Sequence, residues 1–426
     1  MLAMTAGAFA GSPSAEPAEL RWAQLAWLAA AVVVISAGFG ALMPLLPGWL
    51  TPLMPGENAI RVARHVGFLS GIYTAGVLVG APLWGFISDR VGFGRILIVG
   101  LVGYAASLLL VLVPGLNGLW GIYSLRAATG FFVAAVVPVV SALIAEHTAE
   151  EKRARRFAWL SAMSLLGFLL GPGLLAVAEG VGSWRGEAVV SASASARIVI
   201  AMSALLGAVV MLGLAVTLPA SHSPGPAALN TPAVPTESRT TALRWFSGAV
   251  MFVLAGFELG IVLQGQQHPG LSSRQVATMF AECSLVMLGV NALLFFTALL
   301  EKAPARWLMS AGLVMAMAGL ALLALHRAET WIYWGIGLTS AGTGLVLPVI
   351  AYLAAGASRR KLGATMGGLA AAAGFGQTLG SATGGWLFGN FAQPGFGWLA
   401  LPLIVMLILV WARPGWLPAI RAEVTT

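Results

Sequence analysis

The sequence predicts an all-α membrane protein in which twelve transmembrane helices form two pseudo-symmetric six-helix bundles. Three observations lead to this fold class: the composition, the series of long apolar stretches, and a proline-rich segment at the middle of the chain. Hydrophobic residues make up 59% of the 426 residues and charged residues 9%, against about 25% charged residues in soluble proteins. With a mean hydropathy of +0.89, this composition excludes a soluble enzyme, a disordered scaffold and a nucleic-acid-binding domain.

Twelve apolar stretches are long enough to cross a bilayer as helices. A spanning helix needs about 20 apolar residues, because the hydrocarbon core is ~30 Å thick. The stretches show no polar alternation of period two, which strands of a membrane barrel require. The predicted spans are 23–50, 67–87, 96–113, 118–145, 157–178 and 197–218, followed by 246–264, 275–298, 307–325, 330–354, 362–389 and 396–412.

The distribution of Lys and Arg predicts that both termini are cytoplasmic, because positive residues are retained on the cytoplasmic side. Sixteen of the 23 Lys and Arg residues then lie in inner segments and six in outer segments, while Arg126 lies inside a span. The net charge of +8 is therefore an orientation signal. We expect a monomeric, multi-pass protein of a bacterial-type inner (cytoplasmic) membrane, in contact with the lipid bilayer and not with nucleic acid.

The chain repeats itself weakly on either side of a segment with five prolines, which is typical of a disordered linker. Pro138 and Pro348 are counterparts at an offset of about 210 residues, and a basic loop follows each of their spans. Many secondary transporters consist of two such repeats with the substrate site between them. The predicted units are a mobile tail (1–20), a six-helix bundle (21–218), the cytoplasmic linker (219–243), a second six-helix bundle (244–412) and a cytoplasmic tail (413–426).

A charged glycine motif joins spans two and three. Asp89 is the only aspartate of the chain, and it can pair with a nearby arginine or lie at the N-terminus of a neighbouring helix. Such a cluster could hold one conformation and release it, although an ordinary charged turn is the alternative. Glycines here allow close helix approach and a tight turn. The motif consists of Gly85, Asp89, Arg90, Gly92 and Arg95.

This motif resembles the loop between spans two and three of the major facilitator superfamily. The match is imperfect, because Phe93 and Gly94 occupy places that are basic in the family. Residues 38–47 of span one, with glycines followed by paired prolines, resemble the twelve-span drug/proton antiporters of that superfamily. The resemblance implies the two-bundle fold given above.

Arg126 lies in span four, about eight residues below the predicted outer surface. An arginine in hydrocarbon costs at least ~2.5–3.5 kcal/mol unless it faces a cavity or a partner. Extension of the side chain to the outer interface is the alternative. With Gly130 it resembles the span-four motif of the superfamily, which implies a role for Arg126 in proton coupling.

Span five carries glycines four residues apart and a proline, a combination that allows close helix contact and a kink. From the residues alone this indicates a packing hinge. The sequence G-x-x-x-G-P-G in this span resembles the antiporter motif of the superfamily. That motif is found in proton-coupled exporters, so the resemblance implies export. The residues are Gly167, Gly171, Pro172 and Gly173.

Three ionisable residues lie deep within the predicted spans: Arg126, Glu258 and Glu282. Burial disfavours the charged form of a carboxyl, so one that is exposed alternately to the two sides can bind a proton outside and release it inside. Glu258 lies near the midplane, where alternating-access sites are expected. The alternative for each carboxyl is a hydrogen bond within the bundle. Several drug/proton antiporters have an acidic residue in span one, which this chain lacks, so Glu258 or Glu282 should carry coupling.

The candidates for lining a substrate cavity are polar and aromatic residues of the spans. They are Phe39, Phe131, Phe257, Gln264, Asn291, Trp334, Phe375 and Gln377.

The sequence therefore predicts a proton-coupled secondary transporter, not an enzyme. It would export a small amphipathic cationic or zwitterionic molecule by alternating access, as in multidrug or metabolite efflux. The alternative is an uptake symporter or uniporter for a small anionic metabolite, with Arg126 at the substrate site. No nucleophile–base pair, metal-ligand spacing or phosphate-binding G-x-x-x-x-G-K-[ST] loop occurs in the sequence, so we expect no metal, no cofactor and no use of ATP.

Overall fold

A computed structural model describes residues 20–148, 150–184, 191–218, 238–267, 272–297, 299, 303–357 and 362–413. This part of the chain is helical apart from short connections and contains no strand. The α-helices in chain order are α1 (Trp22–Leu42), α2 (Leu46–Leu50), α3 (Ala59–Val91), α4 (Phe93–Leu110), α5 (Leu119–Val133), α6 (Val137–Glu146), α7 (Glu150–Trp184), α8 (Ala192–Thr217), α9 (Ser238–Gln267), α10 (Ser273–Thr297), α11 (Ala305–Leu325), α12 (Glu329–Ala357), α13 (Leu362–Phe391) and α14 (Gly395–Ala412).

Each predicted span coincides with a helical segment of the structure. Among the described residues, eleven segments are long and apolar enough to cross a membrane. The predicted eleventh span corresponds to α13, which lies outside that set of eleven. The chain is therefore an all-helical, multi-pass membrane protein.

Several helices extend beyond the apolar stretches that predicted them. α3 begins at residue 59 rather than 67, where the Asn58 side chain accepts a hydrogen bond from the Arg61 N–H at 2.9 Å and caps the helix. α9 begins at residue 238, inside the predicted linker (219–243). Residues 238–243 contain neither Pro nor Gly, and nothing in them prevents a helix from starting early. Residues 219–237 of the linker and both tails apart from residues 20 and 413 lie outside the described residues.

Prolines interrupt two of the spans. In span one, Pro44 and Pro47 lie in a 3₁₀ turn and in α2, directly after α1 ends. In span four, α5 ends at Val133 and Pro138 occupies the first turn of α6, where a missing N–H costs no hydrogen bond. Pro348 lies within the continuous α12, so the two counterparts differ in their effect on the backbone.

The turn between α3 and α4 depends on a glycine. Gly92 has φ = 99°, a conformation that L residues rarely adopt, and its N–H donates to the Ser88 carbonyl at 2.9 Å. The tight turn expected at this glycine is therefore present, and it separates two helices by a single residue.

The first half of the chain (residues 20–218) meets the second half (238–413) along two pairs of helices, α3 with α13 and α7 with α10. Small residues build the first of these contacts. A Cβ placed on Gly67 would lie 2.6 Å from the Cα of Gly385, and one on Gly71 would lie 3.4 Å from the Ala382 Cβ. Because glycine lacks a Cβ, the two backbones pack directly against each other.

The α3–α13 contact is closest near the end of the bundle at which α3 begins. Arg64 donates a hydrogen bond to the Asn390 side chain there at 3.3 Å. At the opposite end of the contact, a Cβ on Gly374 would meet only the flexible side chain of Leu78, at 3.5 Å. Helices α3 and α13 are therefore packed most tightly at the end where α3 begins.

Candidate functional site

Arg126 is enclosed by the first half of the protein. It lies on α5 and is 6% exposed. Its guanidinium carbon lies 4.5 Å from the centre of the Tyr73 ring and 5.5 Å from that of Phe39. Both distances are within the range of a cation–π interaction. The alternative that Arg126 extends to the outer interface is therefore wrong for this structure.

A small cavity of about 10 Å³ lies beside Arg126, between α1, α3, α4, α5 and α8. This volume holds about one water molecule. The Arg126 Nε and Nη2 atoms are buried without a hydrogen-bond partner in the described part of the protein. The site therefore has both space and hydrogen-bonding groups for one small polar molecule.

Around this cavity, the first half supplies aromatic and hydroxyl groups rather than an acid. Within the described ranges Arg126 forms no ion pair. One turn further along α5, the Thr129 hydroxyl shares a hydrogen bond with Ser107 at 3.0 Å. A Cβ on Gly38 would lie 2.8 Å from the Tyr104 hydroxyl, so glycine leaves room for that tyrosine beside the cavity.

The segment 167–173, which resembles the antiporter motif, packs α7 against α1. A Cβ on Gly167 or Gly171 would lie 2.6 to 2.8 Å from backbone atoms of α1. Pro172 lies inside α7, which continues past it, whereas a Cβ on Gly173 would meet no atom within 4 Å. The first two glycines therefore determine how closely α1 and α7 approach.

The structure describes the surroundings of two arginines in the charged glycine motif. Arg90 places its guanidinium carbon 3.8 Å from the centre of the Phe86 ring, and Arg95 is exposed. The side chain of Asp89 lies outside the described residues. Among the described residues, a Cβ on Gly85 would meet no atom within 4 Å.

The second half contains the two carboxyl groups predicted to lie within spans. Glu258 on α9 and Glu282 on α10 are both mostly buried. The buried Cys283 lies within electrostatic range of both. The Oε2 atom of Glu282 is buried and has no hydrogen-bond partner in the described protein. Helices α9 and α10 therefore each place one carboxyl group within an apolar segment that is long enough to span a membrane.

Glu282 and Trp334 line a groove between α10 and α12, which we call the α10–α12 groove. Its volume is about 650 Å³, within the range of about 300–1,000 Å³ that is typical of small-molecule sites. Trp334 is 63% exposed at the rim. The lining residues are Glu282, Val286, Glu329, Thr330, Tyr333, Trp334, Gly337 and Leu338.

Phe257, one of the predicted cavity residues, is fully buried, with its ring centre 6.4 Å from that of Phe396 on α14. It therefore takes part in the packing between α9 and α14. Phe39, another predicted cavity residue, lies beside Arg126.

The other predicted cavity residues are dispersed. Phe131 packs against Trp84 with a centroid distance of 5.3 Å, and Asn291 donates to the Met287 carbonyl of its own helix at 2.8 Å. The remaining three are Phe375, which is 53% exposed, Gln377, which is mostly buried, and Gln264, whose side chain lies outside the described residues.

Sequence reasoning missed the tyrosines. Tyr73 and Tyr104 line the Arg126 cavity, and Tyr333 lines the α10–α12 groove. The chain has only five tyrosines. Their rarity in apolar spans was the signal that could have identified them.

Comparison with known proteins identifies the fold. The model of the Major Facilitator Superfamily matches residues 28–294, which is more than half of the chain. The chain belongs to the major facilitator superfamily. This confirms the resemblance found in its motifs and makes it a transporter rather than an enzyme.

Solved structures of other transporters share the fold of this superfamily member. The human organic anion transporter MFSD10 (TETRAN) has a TM-score of 0.67 and 18% sequence identity, over 91% of this chain and 99% of that protein. The peptide transporter POT has a TM-score of 0.72 and 13% identity, over 94% and 98% of the two chains. At these identities the likeness concerns the fold.

Curated relatives of this superfamily member include drug-resistance proteins. The class B tetracycline resistance protein of Escherichia coli is 34% identical over 135 residues, 32% of either chain. The quinolone resistance protein NorA of Staphylococcus aureus is 28% identical over 145 residues, 34% of this chain and 35% of that protein. The matches therefore span about a third of the length of these relatives.

Proposed function

We propose that this superfamily member is a proton-coupled exporter of small amphipathic molecules that carry a positive charge or are zwitterionic. Twelve helices in two six-helix bundles would alternate access across a bacterial inner membrane, with both termini in the cytoplasm. The observation that carries the proposal is the pair of mostly buried carboxyl groups, Glu258 and Glu282, in spanning helices of the second half. The efflux relatives support the direction of transport.

Under this orientation, the end at which α3 begins faces outward. The α3–α13 contact is closest at Gly67 and Gly385, which corresponds to a conformation closed toward the outside. Export would require these backbones to separate so that the substrate can leave. The Arg64–Asn390 hydrogen bond would break in the same step.

In the proposed cycle Glu258 exchanges the proton. When it faces outward it would bind a proton, and when it faces inward it would release that proton and leave a negative charge for the next substrate. Glu282 is the other mostly buried carboxyl group in a spanning helix of the second half and would take part in the exchange. Arg126 would supply a fixed positive charge in the other half.

An uptake carrier for an anion is the second candidate function. It would place the substrate at Arg126, where the cavity of about 10 Å³ has room for one water-sized molecule. A metabolite anion of several heavy atoms is too large for this enclosure, so the geometry favours export.

The test measures proton movement in inside-out membrane vesicles with an imposed pH gradient. A panel of cationic, zwitterionic and anionic compounds, including a tetracycline and a quinolone, is added while an acridine dye reports the gradient. We expect a cationic or zwitterionic compound to dissipate the gradient in vesicles with the native protein, and Glu258→Gln to abolish this effect.

The matched control is Glu57→Gln, because Glu57 pairs with Arg61 at 2.6 Å outside the predicted spans. This variant should behave like the native protein. If Glu258→Gln exchanges protons at the native rate, Glu258 is not the coupling site. If no cationic or zwitterionic compound dissipates the gradient, the export proposal is wrong.

A further inference from the structure

Three successive turns of α10 present a polar side chain toward α12. In the first, Gln275 donates to Glu329 at 3.5 Å, and in the second, the hydroxyls of Thr278 and Tyr333 are 3.3 Å apart. In the third, the Oε2 atom of Glu282 has no hydrogen-bond partner among the described residues. The first two turns therefore hold the helices together, while the third leaves a carboxylate oxygen without a partner.

The groove begins where these contacts end. Glu282 and Glu329 both line it, and none of its lining residues is basic. Glu329 is already held by Gln275, so the oxygen without a partner belongs to Glu282. A buried polar atom normally has a hydrogen-bond partner or a counter-ion, which indicates that the groove is built to receive a positive group.

The shape of the groove identifies the kind of cation. A volume of about 650 Å³ is far larger than a proton or a metal ion requires. Tyr333 and Trp334 supply aromatic surface, while Val286 and Leu338 supply aliphatic surface. Aromatic faces attract organic cations, so the lining suits a molecule with one charged group and an apolar body.

Glycine at position 337 leaves space beside the Oε1 atom of Glu282. A Cβ added to Gly337 would lie 3.4 Å from that atom. A larger side chain at this position would fill the space.

We propose that the α10–α12 groove is a binding site for an amphipathic organic cation, with Glu282 as its counter-ion and Trp334 as its aromatic wall. That the bound cation is transported cargo rests on the proposed export function. The binding itself is a property of the groove and can be measured without transport.

The first experiment measures equilibrium binding of radiolabelled tetraphenylphosphonium to the full-length protein in lipid nanodiscs. Removing one member of a mostly buried charge pair should weaken binding by at least about tenfold in Glu282→Gln. Loss of an exposed cation–π contact should weaken it by about two- to fivefold in Trp334→Ala. Glu57→Gln is the control and should bind like the native protein. Native affinity in both groove variants, or no binding by the native protein, would overturn the proposal.

The second experiment locates the cation and does not depend on the stability of these variants. In a Cys283→Ser background, Leu338→Cys places a thiol in the groove, and Leu325→Cys places one at a position that is 76% exposed at the end of α11. We expect tetraphenylphosphonium to slow maleimide labelling of residue 338 and not of residue 325. Equal labelling of residue 338 with and without the cation would contradict the site.

The two proposals can fail separately. If Glu258→Gln exchanges protons normally while Glu282→Gln loses the cation, the groove stands and the coupling scheme is wrong. If proton exchange depends on Glu258 while Glu282→Gln and Trp334→Ala bind the cation with native affinity, the export proposal is retained and the groove is not the binding site.

Discussion

In the first half of the protein a buried positive charge is surrounded by aromatic rings, whereas in the second half Glu282 lines an open groove and Glu258 is mostly buried on α9. Arg126 has Tyr73 and Phe39 within cation–π distance and a cavity for one small molecule. Glu282 instead lines a cavity of about 650 Å³. The two halves are both helical but differ in the charged groups and cavities that they contain.

The difference assigns different roles to the two charges. Arginine stays protonated in proteins, so Arg126 can organise its surroundings but is a poor carrier of protons. A carboxyl can exist in either protonation state and can pair with a proton or an amine. We therefore expect the first half to supply a fixed charge and the second half to exchange protons and bind substrate.

The largest effect is expected for Arg126→Ala. Transport should fall by about 100-fold, which is near the upper range of the effect that one binding site has on the affinity of another. The amount of folded protein should remain near the native level, because no described acidic residue loses an ion-pair partner. Vesicle transport and size-exclusion chromatography measure the two quantities. A large loss of folded protein would indicate that Arg126 has a structural role. The proposed difference in function between the two halves would then be wrong.

The next effect distinguishes Phe257 in the second half from Phe39 in the first half. Phe257→Ala removes a fully buried ring and should cost about 3–5 kcal/mol of stability, seen as a lower midpoint of thermal unfolding in detergent. Phe39→Ala should lower transport more than stability, because its ring lies beside Arg126. Equal behaviour of the two variants would show that the ring beside Arg126 has no role of its own in transport.

A smaller effect is expected at Tyr73. Tyr73→Leu removes the ring that lies 4.5 Å from Arg126 and should lower transport by about tenfold. Tyr73→Phe keeps the ring and should stay within about twofold of the native rate. If the two variants are equally impaired, the hydroxyl matters and the aromatic face does not.

The smallest effect is expected for Gly85→Ala, because a Cβ at this position meets no atom of the described residues within 4 Å. Transport and unfolding midpoint should stay within about twofold and a few degrees of the native values. Gly167→Leu is the informative partner, since its side chain would collide with α1. A severe defect in Gly85→Ala would show that another conformation of the cycle packs a helix at this glycine.

Hydropathy located the helices well, because the bilayer thickness fixes the length of an apolar stretch. It could not place their polar ends, since the beginnings of α3 and α9 lie in polar sequence. The family motifs carried the superfamily assignment, which the match over residues 28–294 confirms. The positions of the helices along the chain and the superfamily were thus predictable from composition and motifs together.

The directions of individual side chains were much less predictable. A helix that is apolar on all sides gives no periodic signal for the face that meets a neighbour, so Phe257 could be assigned to a cavity although it packs against α14. For the same reason Tyr73 and Tyr104 were missed beside Arg126. Arg126, Glu258 and Glu282 were found because a charge within an apolar span is costly and therefore rare.

The measurement that tests the division between the halves most directly is proton release from purified protein in weak buffer on addition of the most active compound of the panel. We predict that the native protein and Arg126→Lys release protons, and that Glu258→Gln releases fewer or none. Undiminished release from Glu258→Gln and from Glu282→Gln, together with loss of release in Arg126→Lys, would contradict the account.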